Sequence, residues 1–568
     1  MKFLKKFTAA ASAALIAGVS ALYPIPAYTN AAPDEYHDDW LHVNENAEIV
    51  DMDGNPVWLT GCNWFGYSVG SQVFDGVWTR NMHEMLNEIA DHGFNLLRVP
   101  MSTQIILQWK NNEPDELIKV NASTNPELVK EFDEYGTALS YKYSFDIWNM
   151  AVQWCRENGI KIMIDIHCAT TNASGHNYPL WYDEKYSTDD WLDALSWFTD
   201  YYKDDDTIIA MDLKNEPHGK KDEGNFAKWD GSSDENNWRY AAERGAKAVL
   251  DVNPNMLIMV EGIEVYPKFE DGENWNSPSV DYARYPYSGY HGAWWGANLR
   301  GVREYPVDLG EYQSQLVYSP HDYGPEVYNQ EWFYLDDDTK TFSRQTLLDD
   351  YWYDTWAYLV EEKISPLLMG EWGGWVDDEH DTTGENRHWL KELRDYMIEK
   401  HIHHTFWCFN ENSSDTGGLV YDNFQKWDEV KYEFVKPALW QNDDGKFISL
   451  DHKIKVGANG ISLGDYYSGG TSSVQETTSA STTAPVTETT AAASSDKSDN
   501  LYGDANLDGK ISISDAVRIL QYLANSEKYN LEPQGKINAD VDGVDGVSGK
   551  DAVVIQQYDA GIIKNLPV

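Results

Sequence analysis

The sequence predicts a (β/α)8 TIM barrel followed by a small α-helical module. Eight short apolar runs between Val57 and Phe409 are separated by segments long enough to hold helices, the alternation of a parallel barrel. Polar residues able to do chemistry gather at or just beyond the C-terminal ends of those runs, where a barrel brings loops together on one face. Beyond residue 467 the composition changes abruptly, and that change sets the module apart.

In chain order the runs are Val57 to Asn63, Phe94 to Pro100, Lys161 to Cys168, Ile208 to Asn215, Met256 to Glu261, Leu316 to His321, Pro366 to Glu371 and Thr405 to Phe409. The runs from Lys161, Ile208, Met256 and Pro366 are the richest in Ile, Leu, Met and Val, as expected of strands buried on both faces. A doubly wound open sheet is the alternative, but no Gly-rich phosphate loop follows the first strand. In a barrel, Arg98, His167, Asn215, Glu216, His321, Tyr323, Glu371 and Trp407 converge on one mouth.

The ends of the chain read differently. Lys2, Lys5 and Lys6 precede an apolar stretch from Phe7 to Leu22 and then small residues, the grammar of a signal peptide over residues 1–31, so the protein is expected to be secreted with no membrane span once this is cleaved. Residues 34–464 form the barrel domain. Residues 468–500 are Thr, Ser, Ala and Glu with little else, a linker that cannot build a core, and 501–568 resume a periodic apolar pattern.

A formal charge of −49 argues against nucleic acid and anionic membranes as partners. The 24 Trp and 36 Tyr supply flat rings of the kind that stack on sugar faces, although most serve packing. Cys62, Cys155, Cys168 and Cys408 have no metal-ligand spacing, and their pairing is open. The cluster His401, His403 and His404 leads into a strand, where alternate residues face opposite sides, so it reads as solvated or helix-terminal histidines rather than a metal site.

Two strand ends carry a glutamate, in Lys214-Asn215-Glu216-Pro217 and Met369-Gly370-Glu371-Trp372. Two carboxyls facing one substrate can protonate a leaving oxygen and attack an anomeric carbon, which is glycoside hydrolysis. Asn215 is placed to donate to a sugar hydroxyl, and Arg98 to hold one carboxylate ionised. His167, His321 and Tyr323 are placed to orient substrate or carboxylate.

These residues resemble glycoside hydrolase family 5, the retaining cellulase family. Asn215-Glu216-Pro217 is similar to its acid/base motif and Gly370-Glu371-Trp372 to its nucleophile motif. Arg98-Val99-Pro100, Asp165-Ile166-His167, Ser319-Pro320-His321-Asp322-Tyr323 and Trp407 extend the match over most of residues 40–440. The resemblance implies Glu216 as acid/base, Glu371 as nucleophile, and Arg98, His167, Asn215, His321, Tyr323 and Trp407 as the supporting shell, with no cofactor for catalysis. Gly61-Cys62-Asn63-Trp64-Phe65-Gly66 and Trp294-Trp295-Gly296-Ala297-Asn298-Leu299 are similar to the endoglucanase branch. They imply β-1,4-glucan as substrate and Trp64, Trp295 and Trp407 as sugar platforms in an open cleft of a monomeric domain. Cys168-Ala169-Thr170-Thr171 departs from what often follows the third-strand histidine. The alternatives are a xyloglucanase, lichenase or mannanase, or a barrel that binds carbohydrate without cleaving it.

In the module, Asp504, Asn506, Asp508, Ser512 and Asp515 occupy positions 1, 3, 5, 9 and 12 of a calcium loop, with Gly509 at the turn and the carbonyl of Lys510 available. A second copy begins at Asp540 and Asp542 and closes at Asp551, but Asp545 falls one place late for position 5. The duplicated loop and helix resemble type I dockerins of cellulosomal enzymes. That implies structural Ca2+ and a cohesin on a scaffold protein as partner, with the enzyme extracellular at a cell surface or cellulosome.

Overall fold

The structure, a computed structural model, describes residues 38–115, 119–172, 178–278, 289–336, 339–469, 501–507, 510–524, 526, 529–543, 546–559 and 563–567. The expected signal peptide and nearly all of the expected linker lie outside them, as does Asp508. The chain divides into two compact units, Met1–Val474 and Gln475–Val568.

The first unit contains eight parallel strands: β1 (Thr60–Asn63), β2 (Leu96–Ser102), β3 (Lys161–Cys168), β4 (Ile208–Asp212), β5 (Leu257–Val260), β6 (Leu316–Tyr318), β7 (Leu368–Trp372) and β8 (His403–Phe406). They pair in the order β6-β5-β4-β3-β2-β1-β8-β7, and parallel bridges Tyr318–Leu367 and His321–Glu371 join β6 to β7, so the barrel closes. All eight strands are buried throughout, which accounts for the apolar runs of most of them.

Helices cover the barrel through amphipathic stripes. In α1 (Met82–Asp91), Met82, Met85, Leu86 and Ile89 recur at three- and four-residue spacing, and Asn81 caps the start by accepting from the Glu84 N–H. α2 (Ser144–Glu157), α3 (Thr188–Tyr202) and α4 (Trp238–Leu250) follow β2, β3 and β4, and a Ser187–Asp190 capping box starts α3. The link from β5 to β6 departs from expectation. Among the described residues it holds a hairpin and short 3-10 turns in place of a long helix. After β6 comes a π-helical stretch, Leu348–Ala357, whose widened turn leaves the Thr355 carbonyl to accept from the Leu299 N–H at 2.9 Å. α5 (Glu385–Lys400) and α6 (Glu429–Val435) follow β7 and β8.

His403 and His404 lie in β8, buried, with burial holding their pKa values down near 3 and 4. His403 Nδ1 accepts from the Leu59 N–H and His404 Nε2 donates to the Ala438 carbonyl, so both are neutral core residues rather than solvated ones. The four cysteines are buried and unpaired. None of the described helices is long and apolar enough to cross a membrane.

The second unit packs α7 (Ile513–Ala524) and α9 (Gly549–Asp559) through Ala516, Ile519, Ala552 and Ile555. Between them lies α8 (Pro533–Ala539), a helix entering the second loop.

Candidate active site

Glu216 and Glu371 meet at the mouth of the barrel. A carboxylate oxygen of each and a ring nitrogen of His321 all lie within 4.8 Å of one another. Glu371 lies one residue from the end of β7 beside Gly370, where a Cβ would stand 2.8 Å from His321 Nε2, so only glycine lets the histidine lie against this strand. Glu216 lies past the end of β4 in a left-handed conformation (φ 49°), and its N–H donates to Glu261 Oε2 at 2.7 Å. Such a conformation persists where its surroundings fix it, and functional sites are where it collects.

Arg98, fully buried on β2, organises the charges beneath the two glutamates. Its Nη1 donates to Glu371 Oε1 at 2.8 Å and to Asn63 Oδ1 at 2.9 Å. Its Nε and Nη2 donate to Asp212 Oδ2, and Nη2 also reaches Asn215 Oδ1 at 2.9 Å and Glu261 Oε1 at 3.3 Å. Asp165 lies 3.2 Å from the same nitrogen and 2.6 Å from His167 Nδ1. His321 stands 3.1 Å from Glu216 Oε1, 3.2 Å from Glu261 Oε1 and 3.6 Å from Glu371 Oε2, while the Tyr323 hydroxyl donates to Glu371 Oε2 at 2.7 Å.

These contacts divide the carboxyls into two kinds. Burial alone would raise Glu371, but His321, Arg98 and His167, with the Tyr323 hydroxyl, bring it below the usual carboxylate range. Burial raises Glu261 well above that range, with Asp212 adding repulsion that His321 and Arg98 do not overcome. His321 is raised despite burial because Glu261 and Glu371 face it. Burial and the Glu371 charge hold Tyr323 in its protonated, donating form.

The pair opens into a cleft of about 750 Å3. Trp295 lines it on the Glu216 side, stacked on His218 at 3.8 Å and 6°. Trp407 lines it on the other, stacked at 5.8 Å and 9° on His167 and donating to Ser413 Oγ at 3.1 Å. Trp64 does not reach it. Its ring is 0 % exposed, stacks on Phe74 at 4.1 Å and donates to the Asp75 carbonyl, so it packs the core and offers no face to a sugar. Its neighbour Phe65 lines the cleft and stacks on Trp407 at 5.7 Å.

All seven residues expected in the catalytic centre, Glu216, Glu371, Arg98, His167, Asn215, His321 and Tyr323, are therefore brought together. Asn63, Asp165, Asp212 and Glu261 belong to the same network, though the sequence assigns none of them a role. Asp165 and His167 are two apart on one strand, a spacing that places both on one face.

In the second unit, Asp515 is fully buried and accepts from the Asn506 and Ser512 N–H groups. Asp504 is buried, Asn506 and Ser512 are half-buried and Lys510 is exposed. Carboxylate oxygens of Asp540, Asp542 and Asp551 lie within 4.8 Å of one another. Asp551 accepts from the Val541, Asp542 and Ser548 N–H groups, which places Ser548 where Ser512 stands in the first copy, a residue the sequence reading passed over. These hard oxygen donors suit a calcium ion.

A closed parallel barrel whose strand ends deliver two carboxylates to one cleft defines a glycoside hydrolase site. Residues 50–413 match the profile of the cellulase family, glycosyl hydrolase family 5, and residues 502–558 match the dockerin type I domain. Endoglucanase G of Acetivibrio thermocellus is 49% identical over 498 residues, 85% of each chain, and Endoglucanase B of the same organism is 41% identical over 549 residues, 92% of each. Among solved structures, a hyperthermophilic endocellulase from the archaeon Pyrococcus horikoshii is 31% identical with a TM-score of 0.57, covering 71% of this chain and 98% of that one. The catalytic domain of the major endoglucanase of Xanthomonas campestris is 28% identical, again with a TM-score of 0.57, over 70% and 99%. The chain belongs to glycosyl hydrolase family 5, with a C-terminal type I dockerin.

Proposed function

We propose that the chain is a secreted, retaining endo-β-1,4-glucanase that docks on a scaffold through its dockerin. The observation that carries this reading is the approach of Glu216 and Glu371 to within 4.8 Å beside His321. Retaining glycosidases hold their carboxyls roughly 5–5.5 Å apart, whereas inverting ones keep about 6.5–9.5 Å for a water between them.

Glu371, held ionised by Arg98, His321 and Tyr323, attacks the anomeric carbon while protonated Glu216 donates to the departing sugar oxygen. The bond to the leaving oxygen breaks as the ester to Glu371 forms. Glu216, now a carboxylate, takes a proton from water as that water attacks the same carbon, so configuration is retained and Glu371 is freed. Asn215 and His167 hold sugar hydroxyls beside the reacting carbon. Phe65, Trp295 and Trp407 line the cleft beside the pair as aromatic faces for several sugar rings, which supports action on a glucan chain.

In the dockerin, Asp504, Asn506, Asp508, the Lys510 carbonyl, Ser512 and Asp515 would hold one calcium ion, and Asp540, Asp542 and Asp551 would contribute to a second. Bound calcium gives each loop a fixed shape for recognition by a cohesin. The proposed domains are a signal peptide over 1–31, a catalytic domain over 34–464, a linker over 468–500 and the dockerin over 501–568.

The test is reducing-end release by the wild type and Glu216→Ala on carboxymethyl cellulose, mixed-linkage β-glucan, xylan and mannan, with viscosity followed in parallel. Rapid viscosity loss on the glucans, absent in the variant, is the expected result. Activity confined to mannan or xylan would keep the chemistry and overturn the substrate, and inertness on all four would leave a binding barrel. Proton NMR of the first product settles retention: the β-anomer must appear before mutarotation.

A further inference from the structure

Glu216 stands where the sheet gives way to loop. The Asn215 N–H still donates to the Ile166 carbonyl of β3 at 3.0 Å, but the next N–H, that of Glu216, donates to a side chain. The left-handed backbone at Glu216 (φ 49°) is a conformation that residues with a Cβ keep where their surroundings fix it. Two side chains grip it. Glu261, the residue that follows β5, accepts from the Glu216 N–H at 2.7 Å through Oε2, and His218 Nδ1 donates to the Glu216 carbonyl at 2.6 Å.

Glu261 is itself held from several directions. It is fully buried and does not line the cleft, and its carbonyl accepts from Trp238 Nε1 at 2.8 Å. The next N–H, of Gly262, donates to the Gly296 carbonyl at 2.6 Å. At Gly296 (φ 74°) a Cβ would stand 2.2 Å from Glu261 Oε2 and 3.3 Å from Glu216 Cα, so a glycine there leaves room for the bond between the two glutamates. The second oxygen, Oε1, accepts from Arg98 Nη2 at 3.3 Å and lies 3.2 Å from His321 Nε2. Arg98 and His321 are the same two residues that face Glu371.

A carboxyl buried away from substrate is an expensive filler, and an apolar residue of similar size would pack the space at lower cost. What the acid supplies is an acceptor for a backbone N–H beyond the end of β4, with its other oxygen fixed to the groups that face the second glutamate. One side chain thus sets the place of Glu216 relative to Glu371.

We propose that Glu261 is a positioning residue for the acid/base, holding the Glu216 backbone in its left-handed turn so that the Glu216 carboxyl is aimed at the departing oxygen. The inference rests on the assignment of Glu216 as acid/base. A misplacement on the order of 1 Å at a reacting centre costs about 10²-fold in rate. When the misplaced group is a general acid, the loss depends on how much the leaving group needs its proton. Phenolate needs it, whereas 2,4-dinitrophenolate is stable enough to depart as the anion.

The experiment uses the full chain, phenyl and 2,4-dinitrophenyl β-cellobioside, and temperatures at which every variant is folded by circular dichroism. Glu261→Leu is expected to lower kcat/KM by about 10²-fold on the phenyl substrate and by less than about threefold on the dinitrophenyl one. On the dinitrophenyl substrate kcat and KM should fall together, because the ester to Glu371 accumulates when no well-placed base activates water. Azide, which needs no base, should restore that kcat by forming the carbon–nitrogen bond of β-cellobiosyl azide as the ester to Glu371 breaks. Gly296→Ala, which drives a methyl group into the same hydrogen bond, is expected to lose about tenfold on the phenyl substrate with the same preference. A folded Glu261→Leu enzyme with wild-type kcat/KM on the phenyl substrate would overturn the proposal, whatever its Tm, and so would equal losses on the two substrates. Should Glu261→Leu fail to fold, Gly296→Ala decides by the same criterion. A wild type inert on both substrates, or a Glu216→Ala enzyme that loses equally on both, would remove the assignment of Glu216 itself, an outcome distinct from a leaving-group-dependent Glu216→Ala beside indifferent Glu261 and Gly296 variants.

Discussion

Two buried cations sit at opposite ends of the barrel, and each is surrounded by carboxylates. At the mouth, Arg98 faces Asp165, Asp212, Glu261 and Glu371. At the floor, Lys161 opens β3, the strand whose far end carries His167, and lies 3.0 Å from Asp39 and 3.4 Å from both Asp206 and Asp451. His452 extends the floor network to Asp39 at 2.6 Å and Asp51 at 3.1 Å. The floor network joins the first described residues, two strand starts and the segment after β8, and none of its members lines the active-site cleft. The mouth network ends on carboxyls that border an open cleft. Similar ion pairing thus serves cohesion at one end and readiness for reaction at the other, and the difference lies in whether a charge is left facing substrate.

That contrast can be broken from either side. Glu371→Gln should leave the fold intact, since Arg98 keeps three other carboxyl partners, yet lower kcat by about 10⁴-fold or more. Near-wild-type turnover by this variant would end the assignment. Lys161→Met should do the reverse. It strands Asp39, Asp206 and Asp451 in the interior and is expected to cost about 3–5 kcal/mol of stability. Below its lowered Tm, kcat should match wild type. A fall in kcat without a fall in Tm would show that the floor reaches the chemistry after all.

The mouth was far more legible in the sequence than the floor. Glu216, Glu371, Arg98 and His321 stand at the ends of apolar runs, and a parallel barrel has one place to send such ends. Asp165 and Asp212 lie inside runs whose apolar neighbours mask them, and only their sharing of one face with His167 or Arg98 gives them away. Trp64 shows a different limit. It and Phe65 follow each other just where β1 stops, so which of the two faces the cleft turns on one residue of register, and composition is silent on that. The partners of Lys161 come from positions 39, 206 and 451, in segments with no shared periodicity, and only the folded chain brings them together.

Smaller changes sharpen the comparison. Tyr323→Phe removes one donor from Glu371, at an expected cost of roughly ten- to hundredfold in kcat. That hydroxyl is one of the groups holding Glu371 below the usual carboxylate range, so its loss must raise the Glu371 pKa. The nucleophile has to be ionised, and the acid limb of the kcat/KM profile should therefore move to higher pH. An unmoved limb would mean that Arg98 and His321 alone set the charge.

The smallest effect is at the floor, and its sign identifies the group responsible. Burial acts to lower His452, but hydrogen bonding to Asp39, with the charges of Asp39 and Asp51, raises it above its ordinary 6.5. A histidine raised in the folded state adds stability that is fully present below pH 6.5 and is lost as pH climbs through the raised value. Asp39 runs the other way: burial opposes its charge, but Lys161 and His452 lower it, and its contribution, present above pH 3.8, is lost only in acid. His452→Gln is therefore expected to cost about 1 kcal/mol near pH 5.5, where both charges stand, with the cost shrinking toward pH 9. Urea denaturation of the two proteins across that range measures it. A difference that stays constant with pH would make His452 a packing residue, leaving Lys161 as the only cation of the floor network.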